Sequence, residues 1–273
     1  MIKYFKILNK QIKSIFICFV IYFLCYIILI PFNDILNKNN FNNKYGNEFS
    51  ITFFISTVLF CIISIYIKKD RLSKLKITVL DINIIFSSFL LPILITYLIT
   101  LIEKTSINYN YLGFDTFYLF LSFLIFALLE EIIFRFTLLE KDLFNNSYYF
   151  PVFFSSLLFS ISHIGNNGYG IIPFFILFLS GIILSFIYLK ANLLTATIAH
   201  AFWNFSSSVL MGGNVSGFKL KYSLFTFVHL QDNIINGGKF GIEGSIITLL
   251  ILLSICLITI LKNRNQTILN VQD

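Results

Sequence analysis

Eight apolar runs, near residues 14–30, 50–67, 81–102, 114–138, 150–165, 170–189, 193–211 and 244–261, set the limits on what this chain can fold into. Runs of this kind are candidates to cross about 30 Å of hydrocarbon. Inside lipid every backbone N–H and C=O must find its partner within the protein, so an unbroken apolar run becomes a helix. Composition agrees, with 57% of residues hydrophobic and only 12% charged, far from the balance of a soluble domain. The expected fold class is an all-α polytopic membrane protein, a bundle of about eight transmembrane helices.

Charge placement orients the bundle. With the N-terminus cytoplasmic, the inside segments hold thirteen Lys and Arg residues, including Lys3, Lys6, Lys10, Lys13 and the cluster from Lys68 to Lys76, against six outside. The positive-inside rule then puts both termini in the cytoplasm. The net charge of +7 is matched by anionic lipid headgroups. The basic residues sit at run ends and form no continuous stripe, so no nucleic-acid partner is expected. The first run has no small-residue cleavage site after it and reads as an uncleaved anchor. An asparagine-rich loop (Asn37, Asn39, Asn40, Asn42, Asn43) falls outside, and a polar connector from Glu140 to Ser147 falls inside. Pro92 is expected to bend the third run. The connector 212–243, with an amphipathic middle from Phe218 to Leu230, is expected on the outer interface. Cys18, Cys25, Cys61 and Cys256 lie in apolar runs with no C-x-x-C spacing and read as packing residues.

Against this background a few polar residues stand out. Glu130, Glu131 and Arg135 interrupt the fourth run, where a charged group near the bilayer centre costs about 2.5–3.5 kcal/mol on insertion scales. On a helix turning about 100° per residue, Glu131 and Arg135 share a face and can neutralise each other. Glu130 points elsewhere and is left free for chemistry. His163 closes the fifth run, and His200 and Asn204, four apart, stack on one face of the seventh. Singly, each has a structural explanation as interhelical glue. Together, a carboxylate, two imidazoles and a carboxamide are the parts needed to activate water and stabilise an oxyanion.

The ordered motifs Glu130-Glu131-x-x-x-Arg135, Phe159-x-x-x-His163 and His200-x-x-x-Asn204 resemble the CPBP family of intramembrane endopeptidases, which includes the type II CAAX prenyl endopeptidases and bacteriocin-processing or immunity proteins (Abi). The resemblance covers roughly 115–250, and Gly237-Gly-Lys-Phe-Gly-Ile-Glu-Gly244 is also similar to bacterial members. It implies a conical polar cavity within the membrane, and a division into N-terminal anchoring helices (1–80), a protease-like core (81–264) and a short cytoplasmic tail (265–273). It also implies hydrolysis of a membrane-associated peptide or protein in a bacterial cell membrane. Glu130 and His163 would activate water, His200 and Asn204 would stabilise the oxyanion, and Glu131, Arg135 and Phe159 would support the site. The family's naming as metalloproteases implies Zn²⁺ on Glu130, His163 and His200. The absence of His-Glu-x-x-His leaves a metal-free glutamate site equally open. Two other readings stay in view: a self-immunity protein of the same fold, and a proton-coupled carrier.

One point of register is in tension with this. Glu130 and His200 each fall about 12 Å from the cytoplasmic end of their runs, whereas His163 falls near the opposite end of its own.

Overall fold

The computed structural model describes residues 2–29, 51–67, 78–111, 113, 115–139, 148–220, 223–228 and 231–269. The asparagine-rich loop, the Lys68–Lys76 cluster and the Glu140–Ser147 connector lie outside the described residues. Among the described residues, eight α-helices occupy the eight apolar runs: α1 (Ile2–Leu29), α2 (Ile51–Ile67), α3 (Val79–Glu103), α4 (Asp115–Glu131), α5 (Tyr149–Ile161), α6 (Ile171–Lys190), α7 (Leu193–Phe205) and α8 (Ile246–Leu269). Among the described residues three helices are long and apolar enough to cross a membrane, Val79–Glu103, Thr116–Phe136 and Ile171–Lys190.

Start signals are local and readable. Thr78 and Asp81 form a reciprocal capping box at the head of α3, and the Asn192 side chain accepts from the Thr195 N–H to open α7. Pro92 does not interrupt α3, which runs continuously from Val79 to Glu103. Large apolar side chains cover the outside, among them Phe16, Phe23, Phe86 and Leu257, as suits a surface solvated by acyl chains.

Lipid gives no hydrophobic drive for one helix to join another, so packing and interhelical hydrogen bonds must do it. Small residues allow it here. Thr195, Ala196, Ala199 and Ala201 of α7 are fully buried where α3, α4 and α6 close around that helix. Gly181 of α6 lies so close to Ser156 of α5 that an added Cβ would approach its Cα to 2.9 Å. Buried hydroxyls such as Ser156 and Ser185 bond back to the carbonyl four residues earlier, which satisfies these two groups within their own helices. All four cysteines are buried and free, in keeping with a packing role.

The all-α expectation needs one correction. Ser106–Tyr109 (β1) pairs antiparallel with Phe225–Val228 (β2), Ser106 opposite Val228 and Tyr109 opposite Phe225. Both segments lie between helices, where β-branched and aromatic residues can pair as strands. The connector after α7 is corrected too. It does not simply lie at an interface: beyond β2 it returns into the bundle, and Ile242 and Glu243 become buried. The end of α5 also moves, from the expected 165 to Ile161, with turns following from Ser162.

Candidate active site

The two glutamates are the last residues of α4, and the chain then widens into a π-helical turn, Ile132–Phe136, closed by the Thr137 N–H on the Ile132 carbonyl at 2.9 Å. Such bulges are frequent at functional sites. This turn carries Arg135, whose side chain is 0% exposed. Arg135 Nη1 lies 3.1 Å from Glu131 Oε1, and the guanidinium carbon sits 4.4 Å from the centre of the Phe159 ring. Among the described residues its nitrogens have no well-aligned hydrogen-bond acceptor, so ion pairing and cation–π attraction hold it.

Glu131 has a second client that helix geometry alone did not reveal. Its Oε1 lies 2.9 Å from His200 Nδ1 on α7. That contact places a proton on Nδ1 and turns Nε2 toward Glu130 Oε2, at 3.5 Å. His163 stands on the turn just past α5. Its Nδ1 is 2.8 Å from the Phe159 carbonyl and 3.2 Å from Ser162 Oγ. A carbonyl can only accept, so His163 carries its proton on Nδ1 and its Nε2 lone pair faces Glu130 Oε1, at 3.9 Å. Glu130 thus lies between two imidazole nitrogens, its side chain 32% exposed, and at 3.9 and 3.5 Å neither contact is as short as an ordinary hydrogen bond.

This geometry answers the tension over depth. His163 is level with Glu130 even though residue counting put it at the far end of its span. Counting assumed a helix running straight across the bilayer. With 13 residues, α5 is only about 20 Å long, short of the hydrocarbon thickness. Phe159 binds the pieces together: its ring meets His163 and His200 edge-on, at centroid distances of 5.0 and 6.0 Å, and it also touches Phe134 and the Arg135 guanidinium.

Asn204, one helical turn beyond His200, borders a cavity of about 590 Å³ together with His200 and Phe159. Among the described residues its carboxamide has no hydrogen-bond partner. Glu130 and His163 are not in the cavity wall; His200, in contact with both the cavity and Glu130, links the two. The walls between α3, α6 and α8 are largely apolar, with Ile84, Leu91, Leu184 and Leu252 among them, so the space is less polar than the resemblance implies. Glu243, Trp203 and Ser216 also line it, and sequence reasoning assigned none of them to the site. The signal was the glycine-rich block Gly237–Gly244, which contains Glu243 and was noticed as a motif but without a role.

Residues 112–206 match the family model of the Rce1-like type II CAAX prenyl endopeptidases. That supports membership of the CPBP family. The matched segment runs through α4, α5, α6 and α7 and so contains all three motifs. None of the curated proteins matches the chain. Among the described residues, no three His, Cys, Asp or Glu side chains form a set that could hold a metal ion.

Proposed function

We propose that this CPBP-type core is an intramembrane endopeptidase that hydrolyses a peptide bond in a membrane-associated peptide or protein, in a cell membrane with both termini cytoplasmic. The observation that carries the reading is Glu130 held between His163 Nε2 and His200 Nε2, with His200 backed by Glu131. Glu130 takes a proton from water while the His163 lone pair accepts the other O–H and aims the oxygen. The nascent hydroxide attacks the carbonyl carbon. A ring flanked by two carboxylates can carry a proton on both nitrogens, and His200 then donates Nε2–H to the developing oxyanion. Asn204 adds its carboxamide N–H. Collapse of the tetrahedral intermediate expels the amine, which leaves with the proton held by Glu130. The Zn²⁺ that the family's naming implies does not fit the side chains as they stand, since Glu130, His163 and His200 do not form a metal-holding set among the described residues.

The test uses purified protein in liposomes carrying fluorogenic peptides anchored by a lipidated residue, a farnesylated CAAX peptide among them. Cleavage by the wild type is expected. Loss of activity by His163→Ala, in protein of unchanged folding, supports the mechanism, and full activity in that variant refutes it. Asn204→Ala is expected to lower kcat about 10²–10³-fold, the scale of one lost oxyanion donor, with KM little altered. Incubation with a strong chelator, followed by elemental analysis, is expected to leave both activity and fold unchanged. Activity that disappears and returns with added zinc would instead make Glu130, His163 and His200 metal ligands.

A further inference from the structure

After α7 the connector folds back and delivers a buried carboxylate to the cavity wall. Residues 237–244 make two successive 3₁₀ turns, Gly238–Phe240 and Ile242–Gly244. Gly237 and Gly241 have φ of 80° and 84°, in the left-handed region. A Cβ at 241 would run into the Asn214 carbonyl, and one at 237 into the Gly241 carbonyl. The turns thus require glycine, and their product is the placement of Glu243. Its Oε1 accepts the indole N–H of Trp203 at 2.9 Å. Its Oε2 accepts the backbone N–H and the hydroxyl of Ser216, at 2.7 and 2.8 Å.

Among the described residues no cation pairs with Glu243. A carboxylate buried without a cation is unfavourable, and only its hydrogen bonds offset that cost. What a carboxylate offers that a carboxamide does not is two accepting oxygens facing opposite clients. Glutamine presents one acceptor and one donor group, so one client would be lost. The two clients lie on different parts of the chain, the last turn of α7 and the loop that follows it.

We infer that Glu243 is a positioning residue for the α7 half of the hydrolytic site: it grips Trp203 and Ser216 together and so fixes the turn on which His200 and Asn204 stand. The inference rests on the hydrolase reading above. Trp203 immediately precedes Asn204 and follows His200 by three residues, and these three line one cavity with Ser216 and Glu243. Regular α-helix stops one residue after Asn204, and the chain passes into the π-helical turn Ser206–Leu210. The Trp203–Glu243 bond therefore acts where helical regularity runs out.

The experiment compares wild type, Glu243→Gln, Trp203→Phe and the double variant on the lipid-anchored peptides. Each single change is expected to lower kcat about 10–100-fold, the usual scale for a residue supporting a catalytic group, with KM little altered. The double variant should be no worse than the poorer single: a glutamine oxygen kept by the two donors of Ser216 sets its NH2 against the indole N–H, so both changes cut the same bond. Trp203 is the only tryptophan in the chain, so its emission maximum and acrylamide quenching report this bond directly and should change in Glu243→Gln. Folded Glu243→Gln with wild-type kcat, costs that multiply in the double variant, or a loss explained entirely by less folded protein would each overturn the inference. An inactive wild type would bring down the hydrolase reading itself. An active wild type beside unaffected variants would bring down the inference alone.

Discussion

Glu130→Gln is expected to reduce peptide cleavage by about 10²–10⁴-fold, the contribution typical of a positioned general base, while leaving the thermal midpoint close to that of the wild type. The two halves of this result have separate origins. Glutamine keeps the shape and an oxygen but has no accessible lone pair basic enough to take a proton from water. The fold should tolerate the change because Glu130 is the partly exposed glutamate, and the nearest charged or titratable groups, His163 Nε2 and His200 Nε2, stand 3.9 and 3.5 Å away. No buried cation is left without its counter-ion. The measurement is initial rate on the anchored peptides at matched concentrations of folded protein. A variant within tenfold of the wild type would remove Glu130 from the role of base.

The helices were legible because lipid permits so few alternatives. Each apolar run corresponds to a helix, and the polar interruptions in three of them meet at one place. Adjacent-helix partners were harder to see. Helical spacing pairs Glu131 with Arg135, and that pair exists, but the same Oε1 also meets His200, 69 residues away, which no spacing rule on one helix can report. Depth misled for a similar reason. Residue counts give distance along a helix axis, and α5 is too short to span the hydrocarbon. The strand pair escaped because β1 and β2, four residues each, are separated by more than a hundred residues of chain. Glu243 escaped because an acid in a glycine-rich connector looks like a solvated loop residue until the left-handed turns at Gly237 and Gly241 carry it inward.

The two roles of Glu131 can be separated, and the expected effects are large. Glu131→Ala leaves the Arg135 guanidinium, 0% exposed, facing a protein interior with only aromatic rings for company. Removing one partner of a buried pair costs about 3–5 kcal/mol, a large share of the stability of any domain. Little folded protein should be recovered, as judged by size-exclusion profile and thermal midpoint. Replacing both members, Glu131→Leu with Arg135→Met, removes the stranded charge and is expected to restore folding, since an apolar pair of similar volume often serves a core as well as an ion pair. Activity should not return with it. The rescued protein still lacks the carboxylate 2.9 Å from His200 Nδ1, so the ring loses the acceptor that fixes its tautomer and orientation. Recovery of folding without turnover is the outcome that assigns Glu131 to His200 as well as to Arg135. A double variant that both folds and cleaves at the wild-type rate would mean that Glu131 serves the arginine alone.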